Sequence, residues 1–182
     1  MSKTALILVD IQNDYFATGA WPVALMNEVA ENAAHLLAHA RATGMTVVHI
    51  RHETPPGAPF FQPGTEGAEI HTRVAPAGNE TVLTKHRPNS FHETELLDLL
   101  REAGTETLII CGAQSQMCID ATTRAAVDYG FKVILPHDAC GAKEATFGDI
   151  TVPPELVQAA FMAPLAASYA KVAATEDVLT LI

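Results

Sequence analysis

The chain has 182 residues, of which 48% are hydrophobic, enough to build the core of one compact domain over residues 1–182. Asp and Glu number 21 against 11 Lys and Arg, so the formal net charge is −10. Because this sign repels nucleic-acid phosphates and anionic membranes, we expect neither as a partner. The N-terminal apolar run, residues 5–9, is too short to span a membrane and stops at Asp10.

Short apolar runs alternate with helical patterns along the chain. The pattern predicts strands at residues 4–9, 45–50, 81–84, 106–111, 131–135 and 170–173. It predicts helices at residues 23–42, 93–103, 117–129 and 154–163. This alternation is typical of an α/β fold of the Rossmann-like, doubly wound class, with a mostly parallel sheet of about six strands and helices on both faces. The first and fourth strands should lie side by side at the switch point.

Residues 53–80 interrupt this alternation with repeated prolines and glycines. A long irregular segment inside a compact domain is typical of a lid or binding loop. Phe60 and Phe61 lie in its middle, which favours a cover over a pocket, although a variable surface loop is the alternative.

The cysteines are Cys111, Cys118 and Cys140, an odd number that cannot all pair. No export signal is recognisable, so we expect free thiols in the cytoplasm. Cys111 lies in an apolar run and is predicted to be core. For Cys140, which follows a predicted strand, we expect a structural role.

Three chemically active side chains follow three predicted strands. Asp10 follows the first strand, Lys85 the third and Cys118 the fourth. Because the carboxyl ends of parallel strands meet at one edge, we expect them to converge. Taken singly, they could be a turn cap, a solvated lysine and a small core residue.

Their joint placement favours a catalytic site. Cys118 begins a predicted helix, where the dipole favours a thiolate, and a nearby Lys85 would lower the thiol pKa further. Asp10 could accept the thiol proton and later return it to the leaving group. Backbone N–H groups between Ala113 and Cys118 could form an oxyanion hole.

Three segments together resemble the isochorismatase-like cysteine hydrolase family: residues 8–16 (LVDIQNDYF), 85–91 (KHRPNSF) and 112–118 (GAQSQMC). The resemblance implies a Rossmann-like sheet, homo-oligomers (dimers or higher) and a catalytic triad, here Asp10, Lys85 and Cys118. It also implies a cis peptide bond before the nucleophile, expected at Ala113–Gln114, with Met117 beside the oxyanion site.

Nicotinamidase-like members of this family carry a metal-binding Asp and His pair after the second strand. The corresponding residues 51–54 read Arg-His-Glu-Thr and lack that pattern. His35 and His39 are four residues apart on one predicted helix, but no third ligand with suitable spacing joins them. We therefore predict no metal and no cofactor.

Candidate substrate-binding residues follow from their position near the strand ends or in the loop at 53–80. They are Gln12, Phe16, Trp21, Phe60, Phe61 and Phe91, with Phe147 as a further candidate aromatic. Each aromatic could equally be an ordinary core residue. No phosphate-binding loop is present, so the fold does not imply a nucleotide.

The leading hypothesis is hydrolysis of a carbon–nitrogen bond in a small molecule through a Cys118 thioester. Family members that cleave isochorismate need no cysteine nucleophile, so Cys118 favours the amidase type. One alternative is vinyl ether hydrolysis with Asp10 as general acid. Another is a non-catalytic, homo-oligomeric binding protein. The apolar C-terminal stretch at 178–182 is also consistent with a homo-oligomer.

Overall fold

The computed structural model describes residues 3–182. Within these residues, nine strands follow one another: β1 (Thr4–Val9), β2 (Thr46–His52), β3 (Thr81–Lys85), β4 (Thr107–Ala113), β5 (Lys132–Pro136), β6 (Cys140–Gly141), β7 (Ala145–Phe147), β8 (Ile150–Val152) and β9 (Ala170–Ala173). The main parallel sheet has the order β3-β2-β1-β4-β5-β9, and the short β6 pairs with the end of β4. Strands β7 and β8 form a separate antiparallel hairpin. As predicted, β1 and β4 are neighbours.

Five α-helices accompany the sheet: α1 (Met26–Thr43), α2 (Leu96–Glu102), α3 (Asp120–Asp128), α4 (Pro154–Ser168) and α5 (Thr175–Leu181). Alternate residues of β1 point to opposite faces, so two cores form. Leu6 and Leu8 pack with residues of α1 and α5. Ile7 and Val9 pack with residues of α2, α3 and α4. The predicted α/β class, with helices on both faces, is therefore confirmed.

Gly112 lets β4 approach the end of β1 closely. Its φ of 125° lies in a region that L side chains rarely adopt, and an added Cβ would collide with the Val9 carbonyl oxygen. Val9 immediately precedes Asp10, so this close approach helps to bring the loop after β4 beside Asp10.

The helices differ from the predicted ranges at their ends, and a fifth helix was not predicted. Helix α1 begins at Met26 rather than at residue 23, because Leu25 has a left-handed backbone conformation with φ 55°. Residues 178–181 of the apolar C-terminal stretch belong to α5, and Val178 is fully buried in the core. Burial of Val178 within its own chain weakens that stretch as an argument for oligomerisation.

Residues 53–80 cover the segment that follows β1. The Phe61 N–H donates to Asp14 Oδ2 at 2.7 Å, and the His71 N–H donates to the Ile11 carbonyl at 2.8 Å. The Asn13 N–H donates to the Glu69 carbonyl at 3.0 Å. Residues 53–80, the covering segment, are therefore hydrogen-bonded to the segment after β1 at several points along their length. Within residues 3–182, no helix is both long enough and apolar enough to cross a membrane.

Candidate active site

Three side chains meet at the carboxyl edge of the sheet. Asp10 directly follows β1, Lys85 ends β3, and Cys118 lies in a short π-helical turn, Ser115–Ile119, between β4 and α3. Lys85 Nζ lies 2.8 Å from Asp10 Oδ2. Cys118 Sγ lies within 4.8 Å of an Asp10 carboxylate oxygen and of a His52 ring nitrogen, and the charges of Asp10 and Lys85 both act on its thiol. The fold thus joins three residues that are far apart in sequence.

Asp10 and Lys85 form a buried ion pair, with exposed fractions of 0% and 1%. Burial by itself raises the pKa of Asp10, but the neighbouring Lys85 and His52 outweigh it and leave the pKa below its ordinary value. Burial by itself lowers the pKa of Lys85, but Asp10 and Cys118 raise it overall. Both groups are therefore charged at neutral pH. Lys85 Nζ also donates to the carbonyl oxygens of Arg87 and Pro88, each at 3.2 Å.

The Cys118 thiol is protonated in the free protein. Burial and the negative charge of Asp10 raise its pKa to about 12, and the opposing effect of Lys85 does not compensate. The prediction of a lowered thiol pKa from the helix start and Lys85 is therefore wrong. The side chain is 4% exposed, so loss of hydration outweighs the favourable neighbours. Consequently, the thiol proton has to leave during the reaction itself.

His52 joins this group, and sequence reasoning missed it. It ends β2, where it is paired in register with Lys85 on β3. Its Nδ1 lies 3.3 Å from Lys85 Nζ and 3.8 Å from Asp10 Oδ2. The sequence did place His52 at the carboxyl end of a strand, the same criterion that selected Asp10 and Lys85.

Asp10, His52 and Cys118 also have the residue types of a metal site, with one potential ligand atom from each within 4.8 Å of the others. The Lys85 ammonium contacts both Asp10 and His52 at the distances given above. It therefore fills the position that a cation between those two ligands would take. Within residues 3–182, His35 and His39 belong to no such cluster.

The turn that carries Cys118 begins with a cis peptide bond at Ala113–Gln114, as expected from the family resemblance. The N–H groups of Met117 and Ile119 both donate to the Gln114 carbonyl, at 3.0 and 3.1 Å. Met117 is therefore engaged in closing the turn, and the prediction that it serves the oxyanion site is not supported. The Cys118 N–H, which lies between those of Met117 and Ile119 along the chain, is therefore the candidate from this turn to donate to an oxyanion.

Gln12 connects the covering segment to the sheet edge. Its Nε2 donates to the carbonyl oxygens of His52 at 2.9 Å and Ala68 at 2.7 Å, and its Oε1 accepts from the His52 N–H at 2.8 Å. The side chain is fully buried. These contacts use both amide protons, so Gln12 positions His52 rather than binding substrate as predicted.

Four of the predicted aromatic residues lie within the covering segment or pack against it. Phe16 stacks on His71 with ring centroids 3.7 Å apart, and Trp21 stacks on Phe60 at 4.9 Å. Phe61 is fully buried and packs against Tyr15 at 4.5 Å. Trp21 and Phe60 remain partly exposed and thus available to a ligand.

Two predicted pocket aromatics lie elsewhere. Phe91 packs against Phe131 and Tyr129, with centroids 6.2 and 5.2 Å away, in the core on the α3 face. Phe147 is 91% exposed on the β7–β8 hairpin. Sequence position alone could not distinguish these environments, because burial depends on tertiary packing. Phe91 belongs to the same buried cluster as Cys118, whereas Phe147 lies on an exposed hairpin.

The other cysteines are free and buried, as expected for residues without a catalytic role. Burial raises the pKa of Cys111 to about 12. Cys140 also lines a cleft of about 580 Å³ between the N-terminal ends of α1 and α4. None of Asp10, Lys85 and Cys118 lines that cleft, so it is separate from the candidate active site.

With this geometry established, the comparisons with known proteins decide the family. Residues 4–177 match the Isochorismatase domain. The chain belongs to the isochorismatase family. This isochorismatase-family hydrolase is 48% identical to the isochorismatase family protein YddQ of Bacillus subtilis (strain 168), over 97% of this chain and 98% of that protein. A crystal structure of an isochorismatase-type protein from Oleispira antarctica has a TM-score of 0.94 and 45% identity, covering 97% of this chain and 96% of the other.

The names of several relatives describe reactions. Streptothricin hydrolase of Streptomyces noursei is 40% identical over 84% of this chain, which spans only 52% of that enzyme. Maleamate amidohydrolase of Pseudomonas putida is 33% identical over 79% of this chain and 74% of that enzyme.

Proposed function

We propose that this isochorismatase-family protein is a cysteine hydrolase that cleaves an amide, ureido or lactam carbon–nitrogen bond of a small molecule. The observation that carries the proposal is the position of one thiol, Cys118, within 4.8 Å of the Asp10 carboxylate, which itself lies 2.8 Å from the Lys85 ammonium. The relatives named streptothricin hydrolase and maleamate amidohydrolase support hydrolysis as the reaction class, and the second name specifies an amide.

In the first half-reaction, the Cys118 thiol attacks the substrate carbonyl carbon. Its proton passes to the Asp10 carboxylate as the carbon–sulfur bond forms, because the thiol is not ionised beforehand. The carbonyl oxygen becomes an oxyanion, which we assign to the Cys118 N–H. Asp10, now protonated, gives the proton to the leaving nitrogen. The carbon–nitrogen bond breaks, the amine departs, and an acyl thioester remains.

In the second half-reaction, water attacks the thioester. Asp10 accepts a proton from the water, and a second tetrahedral intermediate forms. Its collapse breaks the carbon–sulfur bond and returns the proton from Asp10 to the departing sulfur. The balance is one amide and one water consumed, with one carboxylic acid and one amine or ammonia released.

Lys85 and His52 have supporting roles in the proposed reaction. The Lys85 ammonium keeps Asp10 ionised as the proton acceptor and stabilises negative charge as it develops on sulfur. His52 contacts both Asp10 and Lys85 and is a positioning residue. This division of roles makes Cys118 the nucleophile and Asp10 the single proton carrier.

A panel of small amides, ureides and lactams, assayed for ammonia or acid release, tests the reaction class. Cys118→Ala should abolish turnover, and Cys118→Ser should be nearly inactive because a hydroxyl is much harder to ionise. Cys111→Ala is the matched control, since it removes a buried thiol that packs in the core on the other face of the sheet from Cys118, and it should retain activity. Acid-quenched wild-type protein should carry the acyl mass on the peptide that contains Cys118.

A vinyl ether hydrolase would behave differently. Cys118→Ala would then keep its activity while Asp10→Asn lost it, and no acyl adduct would form. That pattern would overturn the thioester mechanism.

A further inference from the structure

The backbone of Lys143, in the loop between β6 and β7, is held by the turn that carries Cys118. This turn, Ser115–Ile119, is called the nucleophile turn below, and it contains Gln116. Gln116 Nε2 donates to the Lys143 carbonyl at 3.0 Å, and the Lys143 N–H donates to Gln116 Oε1 at 3.4 Å. One amide side chain therefore makes two hydrogen bonds to the Lys143 backbone and fixes where this loop lies against the nucleophile turn.

The side chain of Lys143 reaches a different segment, the one that follows β1. Its Nζ donates to the Pro22 carbonyl at 2.7 Å and lies 5.2 Å from the centre of the Trp21 ring. The negative face of an indole attracts an ammonium at this distance. Trp21 in turn stacks on Phe60 of the covering segment, with ring centroids 4.9 Å apart. Lys143 therefore bridges the nucleophile turn and the aromatic pair Trp21–Phe60.

No carboxylate directs the Lys143 ammonium. Among residues 3–182, Lys143 takes part in none of the ion pairs. Its side chain is therefore directed by the Pro22 carbonyl and the Trp21 ring.

The other end of this bridge is fixed by Asp14. The Trp21 N–H donates to the Asp14 carbonyl at 2.9 Å, and the Phe61 N–H donates to Asp14 Oδ2 at 2.7 Å. Asp14 thus joins the segment that carries Trp21 to the covering segment. Lys143 adds the link from that assembly to the nucleophile turn.

We propose that Lys143 is a positioning residue that fixes the Trp21–Phe60 pair relative to the nucleophile turn, and thereby sets how a flat apolar part of a substrate lies beside Cys118. Both rings are partly exposed and offer a surface to a ligand. The segments concerned are far apart in sequence, so their relative position depends on contacts such as these. The substrate role of the pair rests on the proposed function.

Trp21 is the single tryptophan of the chain, so its fluorescence reports on this bridge directly. Lys143→Met keeps a long side chain but removes the ammonium. The Trp21 emission should then shift to longer wavelength, and acrylamide should quench it more strongly, because the ring gains access to water. Lys143→Arg should restore the wild-type emission, since a guanidinium also donates to a carbonyl and lies over aromatic rings. Lys171→Met, at an exposed lysine of β9, should leave the emission unchanged.

Alkylation of Cys118 tests the position of the aromatic pair relative to the sulfur. Iodoacetanilide carries a phenyl ring that iodoacetamide lacks, and the rate of each reagent is divided by its rate with glutathione. In the wild type, the corrected rate should be about fivefold higher for iodoacetanilide, the scale of one aromatic contact. Lys143→Met should bring this ratio close to that of glutathione, and Lys143→Arg should restore it.

Gln116→Ala tests the other end of the bridge, with the Lys143 side chain untouched. It should lower the alkylation ratio as Lys143→Met does. The double variant should lose no more than either single variant, because both changes break one connection. A wild-type ratio in Gln116→Ala would overturn the proposal.

The proposal would also be overturned by a ratio that Lys143→Met leaves unchanged, including the case in which both reagents slow equally. The same holds for unchanged Trp21 emission in Lys143→Met, or for a wild-type protein that shows no preference for iodoacetanilide. Failure of the proposed function has a different signature. In that case the amide panel gives no turnover, while the alkylation ratio and the Trp21 emission still depend on Lys143.

Discussion

The Lys85 ammonium lies 2.8 Å from the Asp10 carboxylate, and both side chains are buried. Two opposite charges removed from water depend on each other, because either one left alone would lie unpaired in a medium of low dielectric constant. This dependence fixes the ionisation state of Asp10, which the proposed reaction uses as its proton acceptor.

Lys85→Met should therefore destabilise the fold by about 3–5 kcal/mol, the usual cost of breaking a buried ion pair. The double variant Asp10→Asn with Lys85→Met should lose less than the sum of the two single variants, as measured by urea unfolding. Lys3→Met is the control, since Lys3 pairs with Glu106 at 2.6 Å on the surface, with 70% and 58% of the side chains exposed. Lys3→Met should leave the free energy of unfolding nearly unchanged. Equal losses at Lys3 and Lys85 would contradict this interpretation.

Asp10→Asn should make Cys118 more reactive while abolishing turnover. Because Asp10 raises the thiol pKa, its removal should lower that pKa by roughly 1–3 units. Alkylation by iodoacetamide at pH 7–8, followed by peptide mapping, should be slow in the wild type and about tenfold or more faster in Asp10→Asn. Lys85→Ala should slow the alkylation of Cys118. Unchanged alkylation in Asp10→Asn would mean that Asp10 does not act on the thiol.

Glu80 connects the end of the covering segment to α1 and β2. Its carboxylate contacts Arg41 Nε at 2.7 Å, His49 Nε2 at 2.9 Å and the Ala77 N–H at 2.8 Å. The contact with Arg41 is the main reason that the pKa of Glu80 is lowered from 4.5 to about 2. A lowered folded-state pKa contributes stability that is fully present above pH 4.5 and is lost as the pH falls through 2.

Glu80→Gln should thus reduce stability at pH 7 by about 3 kcal/mol and flatten the pH dependence of unfolding between pH 5 and 2. Thermal melts across that range make the measurement. Glu106→Gln, at an exposed pair, serves as the control and should leave the profile nearly unchanged. A wild-type profile already flat in this range would exclude the assigned role of Glu80.

We expect the protein to form homo-oligomers, and the exposed hairpin is the surface to test. Phe147 and Ile150 on this hairpin are 91% and 67% exposed. Light scattering at micromolar concentration should give a mass above that of one chain, and Phe147→Ser should lower it. Leu181→Ser, at a residue 53% exposed on α5, should not. A monomer mass for the wild type would refute the expectation, and an effect of Leu181 alone would implicate the C-terminal helix.

Some of the candidate site could be predicted from local sequence. Asp10, Lys85 and Cys118 follow strands whose apolar runs are easily recognised, and parallel strands bring their carboxyl ends to one edge. The neighbouring arrangement of β1 and β4 follows from the same doubly wound topology. These inferences depend only on the order of elements, which the chain itself carries.

Tertiary structure alone decided the chemical state of these groups and the identity of their neighbours. The pKa of Cys118 depends on how much water its sulfur has lost and on the nearby Asp10 charge, neither of which is encoded in local pattern. The same is true of Tyr15, whose pKa is raised well above its ordinary value chiefly because the phenol is buried. Sequence order therefore determined which residues reach the site. Burial and through-space contacts determined what each of them can do there, because electrostatic and hydrogen-bond energies depend on distance and solvent access.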